Sequence, residues 1–386
     1  VSANTLTGLI RIIYRNLDVV SQEAVGYAPS VSRDAEASRA ALNQVITINR
    51  TPPITASDIV PAMIVTEADG VEMDPVSMAI TKSRKVALPW LGEEILSLQA
   101  PGPGHNTILD DEIQQAFRTL RNEIDVDLGV EIKNTASRAI GAAGSTPFNN
   151  TINESADALK VIIDNGAPQN DLRMVINSTA GAQLRKNTQL TKVNEAGTDQ
   201  TLRNGLLLDL NKFQIRESAG VQTTPIGTGS GYVTDTPAAA TLPIGTTEIH
   251  VDTGTGTSVA GDVVTFAGDT NKYIVATGFA GDGDSDLVIA APGLRETLAD
   301  GVAMTIGSLA VQNSFFSRSG VILLNRLPAL PGGKDMATDR FVIIDSINNL
   351  VFDIALYLGY HMAQWEIGTS WGVKNIKPEH TGTLLG

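Results

Sequence analysis

Residues 107–140 hold the longest periodic stretch in the chain. Ile113, Phe117, Leu120, Ile124, Leu128 and Ile132 recur every three or four residues, which places them on one stripe of an α-helix. Thr107 and Asp110 form a T-x-x-D start, a variant of the capping box. Asp110, Asp111 and Glu112 fall in the expected first turn, where the helix dipole favours anions. Gly141 and Gly144 stop the pattern. At 1.5 Å per residue such a helix spans roughly 50 Å. That exceeds the usual globular helix and predicts a structural spine, with Gly129 as the place where it bends.

The language changes at about residue 223. Residues 223–308 are rich in Gly, Thr, Asp and Val, and short strands are expected at Glu248–Asp252, Val263–Phe266, Lys272–Thr277, Asp286–Ala290 and Met304–Ile306. Turn residues separate them at short spacing, as in a small barrel or sandwich. Helical patterning returns only after 309, so a β-module is inserted into an α+β host. Its linkers are "TTPIGTGSGY" and "IGSLAVQNS".

The host has other legible pieces. Leu6, Leu9, Ile10, Ile13, Leu17 and Val20 share one face of an amphipathic helix at 5–23, fitted either to a partner or to the protein's own core. Two β-rich runs, Ala62–Thr66 and Val76–Val86, flank "EADGVEMDP", whose Asp69-Gly70 is a hairpin turn signal. This hairpin has little apolar weight on one face and a basic second strand with Lys82, Arg84 and Lys85. It suits contact with an acidic neighbouring chain. "TINESADALKVIIDNG" opens with a Thr151/Glu154 capping box and stops at Asn165-Gly166. Leu172–Ile176 reads as a strand, Ser178 caps a short helix, and "GLLLDLNKFQIRESAG" gives two strand-like pieces around Asn211.

Bulk properties narrow the function. A chain of 386 residues predicts two or three domains. A formal net charge of −14 argues against a general nucleic-acid-binding surface, which needs clustered Lys and Arg. With no cysteine, disulfide frameworks and zinc-thiolate sites are excluded. Arg11 and Arg15 interrupt the first apolar stretch, so no signal peptide is expected, and no apolar run reaches the length of a membrane-spanning helix.

The candidate chemistry is thin. In "FAGDGDSDLVI" the residues Asp282, Asp284 and Asp286 alternate like the opening of a calcium loop. Counted from Asp282, the sixth residue is Leu287 and the twelfth is Gly293, where an EF-hand needs Gly and a bidentate Glu. The flanks read as strands, so the expectation is a solvated hairpin tip, pointing to solvent or to a basic partner. "GTSWG" (368–372) matches G-x-S-x-G, but too few residues follow Ser370 to carry a triad, and the expectation is a strand or turn with a packed Trp371. "GTGSG" (227–231) and "PGGKD" (331–335) read as linkers. His105, His250, His361 and His380 never pair at metal-ligand spacing. No cofactor, metal or catalytic constellation is implied.

The order of elements carries a resemblance. "DLRMVINSTAGAQLRKN", then "NGLLLDLNKFQIRESAG", and a closing "SGVILLNRLPAL…WGVKNIKPEHTGTLL" look like the pattern of the major capsid (coat) proteins of tailed double-stranded DNA bacteriophages, the Hong Kong 97-type fold. The inserted β-domain resembles the short-tailed-phage coat branch. The resemblance implies an α+β chain with an N-terminal arm (1–49), an extended loop (50–88), a peripheral domain (89–171) with the spine helix, and an axial domain (172–222 and 309–375). It further implies an insertion domain (223–308) and a C-terminal segment (376–386). It implies a virion subunit assembled in the host cytoplasm. The partners implied are copies of itself in hexamers and pentamers, scaffolding and portal proteins, a decoration protein, and packaged DNA bound without sequence specificity. No membrane is involved. Lys82, Arg84, Lys85, Asp282, Asp284 and Asp286 are the subunit-interface candidates. Two other classes stay open: a secreted β-rich adhesin, and an enzyme with an unrecognised site.

Overall fold

The computed structural model describes residues 23–386 apart from 52–53, 55, 57, 60–69, 71, 100–104, 150, 193–206, 208, 237–239, 334 and 346–347. The helix expected at 5–23 and the strand expected at 62–66 therefore lie outside the described residues, save Glu23.

In chain order the described elements begin with β1 (Ser32–Ala40), β2 (Val45–Arg50), β3 (Asp74–Ala79), β4 (Lys82–Leu91), α1 (Gly92–Gln99) and α2 (His105–Thr135). There follow β5 (Arg138–Gly141), α3 (Asn153–Asp164), β6 (Leu172–Ile176), α4 (Ser178–Lys186), α5 (Thr188–Thr191), β7 (Phe213–Glu217) and β8 (Gln222–Thr223). The inserted region holds β9 (Val233–Thr234), β10 (Glu248–Asp252), β11 (Val263–Phe266), β12 (Lys272–Thr277), β13 (Ser285–Ile289) and β14 (Met304–Ile306). The chain closes with β15 (Val311–Ser317), β16 (Val321–Pro328), β17 (Asp339–Ile344), β18 (Val351–Gly359), β19 (Met362–Asn375) and β20 (Thr381–Leu385).

The spine helix is α2. All six stripe residues expected from the spacing are buried, joined by Leu109 and Ala116. Its ends differ from the expectation. It starts at His105, so Asp110, Asp111 and Glu112 lie beyond the first turn. It stops at Thr135, because Arg138–Gly141 leaves as a strand that pairs with β20 and β12.

A sheet ordered β1-β16-β19-β18-β17 covers the apolar stripe of α2, and β4 pairs along β19. Phe117 meets Phe352 edge to face at 5.1 Å in this core, beside Leu323, Ile354, Ile367 and Trp371. Within β19, Gly368 pairs with both Asp353 and Lys85, and Ser370 with both Arg326 and Ser83. So β18 and β16 line one side of β19 in succession and β4 lines the other. Residues 321–375, expected to share a domain with 172–222, instead share their sheet and core with the spine helix.

The second sheet runs β7-β6-β15-β20-β5-β12-β13-β10-β9, with β8, β11 and β14 attached. Phe213, Leu172, Met174, Ile176 and Phe315 pack with Ala158, Ile162 and Leu184 of the flanking helices. Two caps differ from the reading. Asn177, not Ser178, caps α4 by accepting from the Ala180 N–H at 2.8 Å. The Thr151 hydroxyl bonds the Glu154 carboxylate at 3.0 Å, while Ile152 occupies the cap position without a side-chain bond. At the other end, Asn165 caps α3 and Gly166 takes φ +70°.

The inserted module has its own core of Tyr232, Ile249, Val251, Val264, Phe266, Tyr273, Val275, Leu287 and Ile289. Four of its five expected strands have the bounds read from the sequence, and the fourth strand, expected at Asp286–Ala290, starts at Ser285. The module is nonetheless stitched to the host. Tyr273 pairs with Arg138 and Lys272 with Ala139, and Val263 and Ile274 pack with Ala136, Ala310 and Leu385.

The expected hairpin is built differently. Val76–Ala79 pairs with residues 45–48, in the register Val45↔Ala79 to Arg50↔Asp74. Lys82–Leu91 pairs instead with Met362–Trp371. The single β-rich run 76–86 therefore serves two sheets, switching at buried Ile80.

Gly129 is a point of close approach. A Cβ there would lie 2.6 Å from the Gly220 carbonyl oxygen and 3.3 Å from the Tyr27 ring. Helix propensity alone favours Ala by about 1 kcal/mol. Because the nearest obstacle is backbone, Gly129→Ala is expected to destabilise the subunit by about 1–3 kcal/mol. Chemical denaturation checks the sign; an unchanged or raised midpoint would refute the close-approach account.

Candidate assembly surfaces

The ribbon β2–β3 stands on two strands alone, and such a pair is marginal in water without further cover. Its base is fixed. The Ile80 N–H donates to the Gln44 carbonyl at 3.1 Å, the Asn43 N–H to the Ile80 carbonyl at 2.9 Å, and the Thr81 N–H to the Trp371 carbonyl at 3.1 Å. Met78 and Ile80 anchor it in the interior. Farther along, Arg50 bonds Asp74 across the ribbon. Around this ribbon Leu42, Val45, Ile54, Ile59 and Met73 are exposed, Ile59 by 96%. Isolated exposed apolar residues are ordinary; here Leu42 and Val45 flank the start of β2, Ile54 and Ile59 lie on the connection to β3, and Met73 precedes β3, so they cluster along one stretch of chain that another chain can cover.

A second apolar surface sits at the end of the first sheet. The Gly92 N–H donates to the His361 carbonyl at 2.9 Å, tying the start of α1 to the β18–β19 turn. Leu91, Leu96, Leu358 and Tyr360 are exposed there, Tyr360 by 92%.

Each of the three basic interface candidates meets an acid of its own chain. Lys82 Nζ lies 2.8 Å from Asp127 and 3.4 Å from Glu123, Arg84 Nε lies 3.1 Å from Glu123, and Lys85 Nζ lies 2.8 Å from Glu366. Burial disfavours the charged Lys82, but the two carboxylates outweigh it and raise its pKa. Arg84 and Lys85 remain more than half exposed, with surface left for a neighbour.

The three aspartates are exposed on the loop between β12 and β13 and on β13 itself. They divide their work. Asp282 accepts from the Gly256 N–H at 2.6 Å and ties two loops together. Asp286 bonds His250 Nδ1 at 2.7 Å across the β10–β13 pair. The bond from Asp286, with the nearby charges of Asp286, Asp235 and Asp284, raises the His250 pKa. Among the described residues no group of three or more His, Asp or Glu side chains is placed to hold a metal. Ser370 bonds the Ser83 hydroxyl at 2.9 Å inside the sheet, and Trp371 is fully buried beside it.

Sequence reasoning missed the carboxylates of the spine helix. Trp90 Nε1 donates to Glu112 at 3.0 Å, Trp371 Nε1 to Asp127 at 2.8 Å, and the Asn375 N–H to Glu131 at 3.1 Å. Asp125 accepts from the Tyr27 and Ala28 N–H groups at 2.9 and 3.0 Å and from Ser218. The signal was present as acids flanking an apolar stripe, but that pattern also describes a solvated face. It missed the pairing of β2 with β3 as well, although "VITINR" carries β-branched alternation.

With this geometry in hand, comparison with known proteins gives a likeness of fold. No family model and no curated protein matches the sequence. A solved structure from Mycobacterium phage Che8 is similar over 94% of this chain and 92% of that chain, at 14% identity and a TM-score of 0.52. The capsid structure of the cyanophage P-SCSP1u is similar over 94% of this chain and 88% of that chain, at 10% identity and a TM-score of 0.51. The chain thus has an α+β fold of the phage-capsid type, over nearly its whole length.

Two outcomes are expected from the charges. Lys82→Glu places a third carboxylate against Glu123 and Asp127 and should cost the subunit about 1 kcal/mol or more in denaturant unfolding; an unchanged midpoint would remove the Lys82 cluster from the account. His250, with a folded pKa above its ordinary value, stabilises the module fully below about pH 6.5, and the benefit is lost as pH rises through the folded pKa. His250→Gln should therefore melt lower than the parent at pH 6, with the gap closing in alkali. A gap that widened in alkali would contradict the His250–Asp286 pairing.

Proposed function

We propose that the chain is a structural subunit that self-assembles into the icosahedral capsid shell of a tailed bacteriophage, enclosing double-stranded DNA. The observation that carries this reading is the ribbon β2–β3, paired with no third strand among the described residues and flanked by exposed apolar residues, on a chain whose fold is of the phage-capsid type. A subunit that tiles a surface needs elements that complete their burial only against other copies. In this reading the ribbon is the core of the extended loop. The spine helix with the first sheet forms the peripheral domain, and the second sheet with α3–α5 forms the axial domain. The inserted β-module is the feature that favours the short-tailed-phage coat branch. Scaffolding, portal and decoration proteins are its partners in assembly, and packaged DNA is confined without sequence-specific contact. The subunit works as a building block of the virion, assembled in the host cytoplasm, rather than as a catalyst.

Size-exclusion chromatography and electron microscopy of the expressed protein test this. Shells or tubes of megadalton mass, or capsomers of five or six chains, are expected. Stable monomers alone, even with a scaffolding partner supplied, would overturn it.

A further inference from the structure

The first and second sheets each bring an edge strand to one basic surface. β7 is an edge of the second sheet, pairing through β6. Phe213 and Ile215 of β7 point into the core, while Gln214 and Arg216 face outward. The register sets Arg173 beside Gln214 and Val175 beside Arg216, so Arg173 and Arg216 share a face. Arg173 bonds both Gln214 and Asp171. Arg318 reaches the same Asp171 at 3.5 Å and donates to the Val31 carbonyl at 3.3 Å. Two residues beyond Val31, Arg33 on β1 bonds the Asn348 carbonyl.

Four guanidinium groups thus gather around Asp171, which bonds two of them, while Asp345 acts on Arg33 and Asp209 and Glu217 border Arg216. Their fields overlap. Burial lowers the Arg33 pKa first, and the charges of Arg318 and Arg216 lower it further; Arg216 is lowered by burial and then by Arg173 and Arg318. Arg216 is exposed and meets no acid or acceptor among the described residues. It opens into a recess of about 440 Å³, whose walls include Asp209 and an Arg185–Glu217 pair.

We propose that Arg33, Arg216 and Arg318, backed by the buried Arg173, form a contact surface that receives carboxylate side chains from a second copy of this chain. The inference rests on the shell reading and deepens it by naming where the charges of two copies meet. Charge complementarity selects the occupant. The chain carries 42 acidic and 28 basic residues, so the faces of a second copy are rich in carboxylates while this cluster is locally cationic. Single carboxylates fit the planar fork of a guanidinium in bidentate fashion. A nucleic-acid backbone fits less well, because Asp171, Asp209 and Glu217 border the surface and repel a continuous line of phosphates.

Full-length wild type, Arg216→Glu and Arg216→Lys are compared by light scattering for the concentration at which half the protein assembles. Melting temperatures are measured in parallel, and each protein is mixed with a double-stranded oligonucleotide. Arg216→Glu is expected to melt like wild type but to need at least about tenfold more protein, the equivalent of about 1.4 kcal/mol per contact. Arg216→Lys should stay close to wild type, and added salt should weaken wild type more than Arg216→Glu. Equal thresholds for wild type and Arg216→Glu would overturn the contact surface while leaving the shell reading intact. A variant that assembles normally but loses oligonucleotide binding would reassign the cluster to phosphate. Failure of wild type to assemble even with a scaffolding partner supplied would remove the shell reading and this inference together.

Discussion

A buried ion pair fixes how the spine helix meets its sheet. Arg121 of α2 and Asp345, just after β17, are almost wholly buried and approach to 2.8 Å. Removing one partner of such a pair leaves an uncompensated charge in the interior, which costs more than the intact pair contributes. Register between helix and sheet is therefore constrained at this point. Neighbouring groups hold the acid in place. Asn348 donates to Asp345 at 3.0 Å, and the Asp345 N–H closes on the Leu350 carbonyl. One helical turn on, Asp125 gathers the chain at residues 27–28 and at Ser218. Burial raises the Asp125 pKa, and the donors around it oppose that shift.

From that point the helix works as a polar hub as well as an apolar spine. Its stripe buries against the first sheet, and its flanking carboxylates capture two strands: Glu112 holds the end of β4, and Asp127 and Glu131 hold the C-terminal part of β19. Two of the captured groups are indole N–H donors, which are costly to bury without an acceptor. The helix thereby sets how β4 and β19 lie, and β19 sets where the base of the ribbon leaves the sheet, through the Thr81–Trp371 bond. A ribbon paired with no third strand among the described residues depends on such a root for its orientation.

What could be read from the sequence followed the range of the interactions. The inserted module was legible strand by strand because most of its pairings are between near neighbours, with turn residues marking each reversal. The spine stripe was legible because helical periodicity is local. The ribbon was not. Its partner strands, 45–50 and 74–79, are separated by a long connection, and the run 76–86 looks continuous although it changes sheets at Ile80. Nothing in the residue types of 321–375 reveals that β16, β18 and β19 choose β1 and β4 as partners over β6. Lys82, Arg84 and Lys85 were legible as a basic strand, but their acids lie on α2 and β19, far along the chain.

The seam between module and host bears on how forces pass through the subunit. Tyr273 holds its hydroxyl against Asp269 at 2.5 Å and accepts from the Arg295 N–H at 3.0 Å, while its backbone pairs with Arg138 of the host. Arg138 in turn bonds Asn271 of the module and Asn165 of the host, both at 2.9 Å. A buried guanidinium shared this way resists sliding, because any shift breaks charge-assisted bonds on both sides at once. The second sheet also runs unbroken from β7 through β5 into β12, so backbone hydrogen bonds cross the seam as well. An insertion joined by two flexible linkers could swing freely. One that continues its host's sheet and shares an arginine with it is held in a fixed orientation.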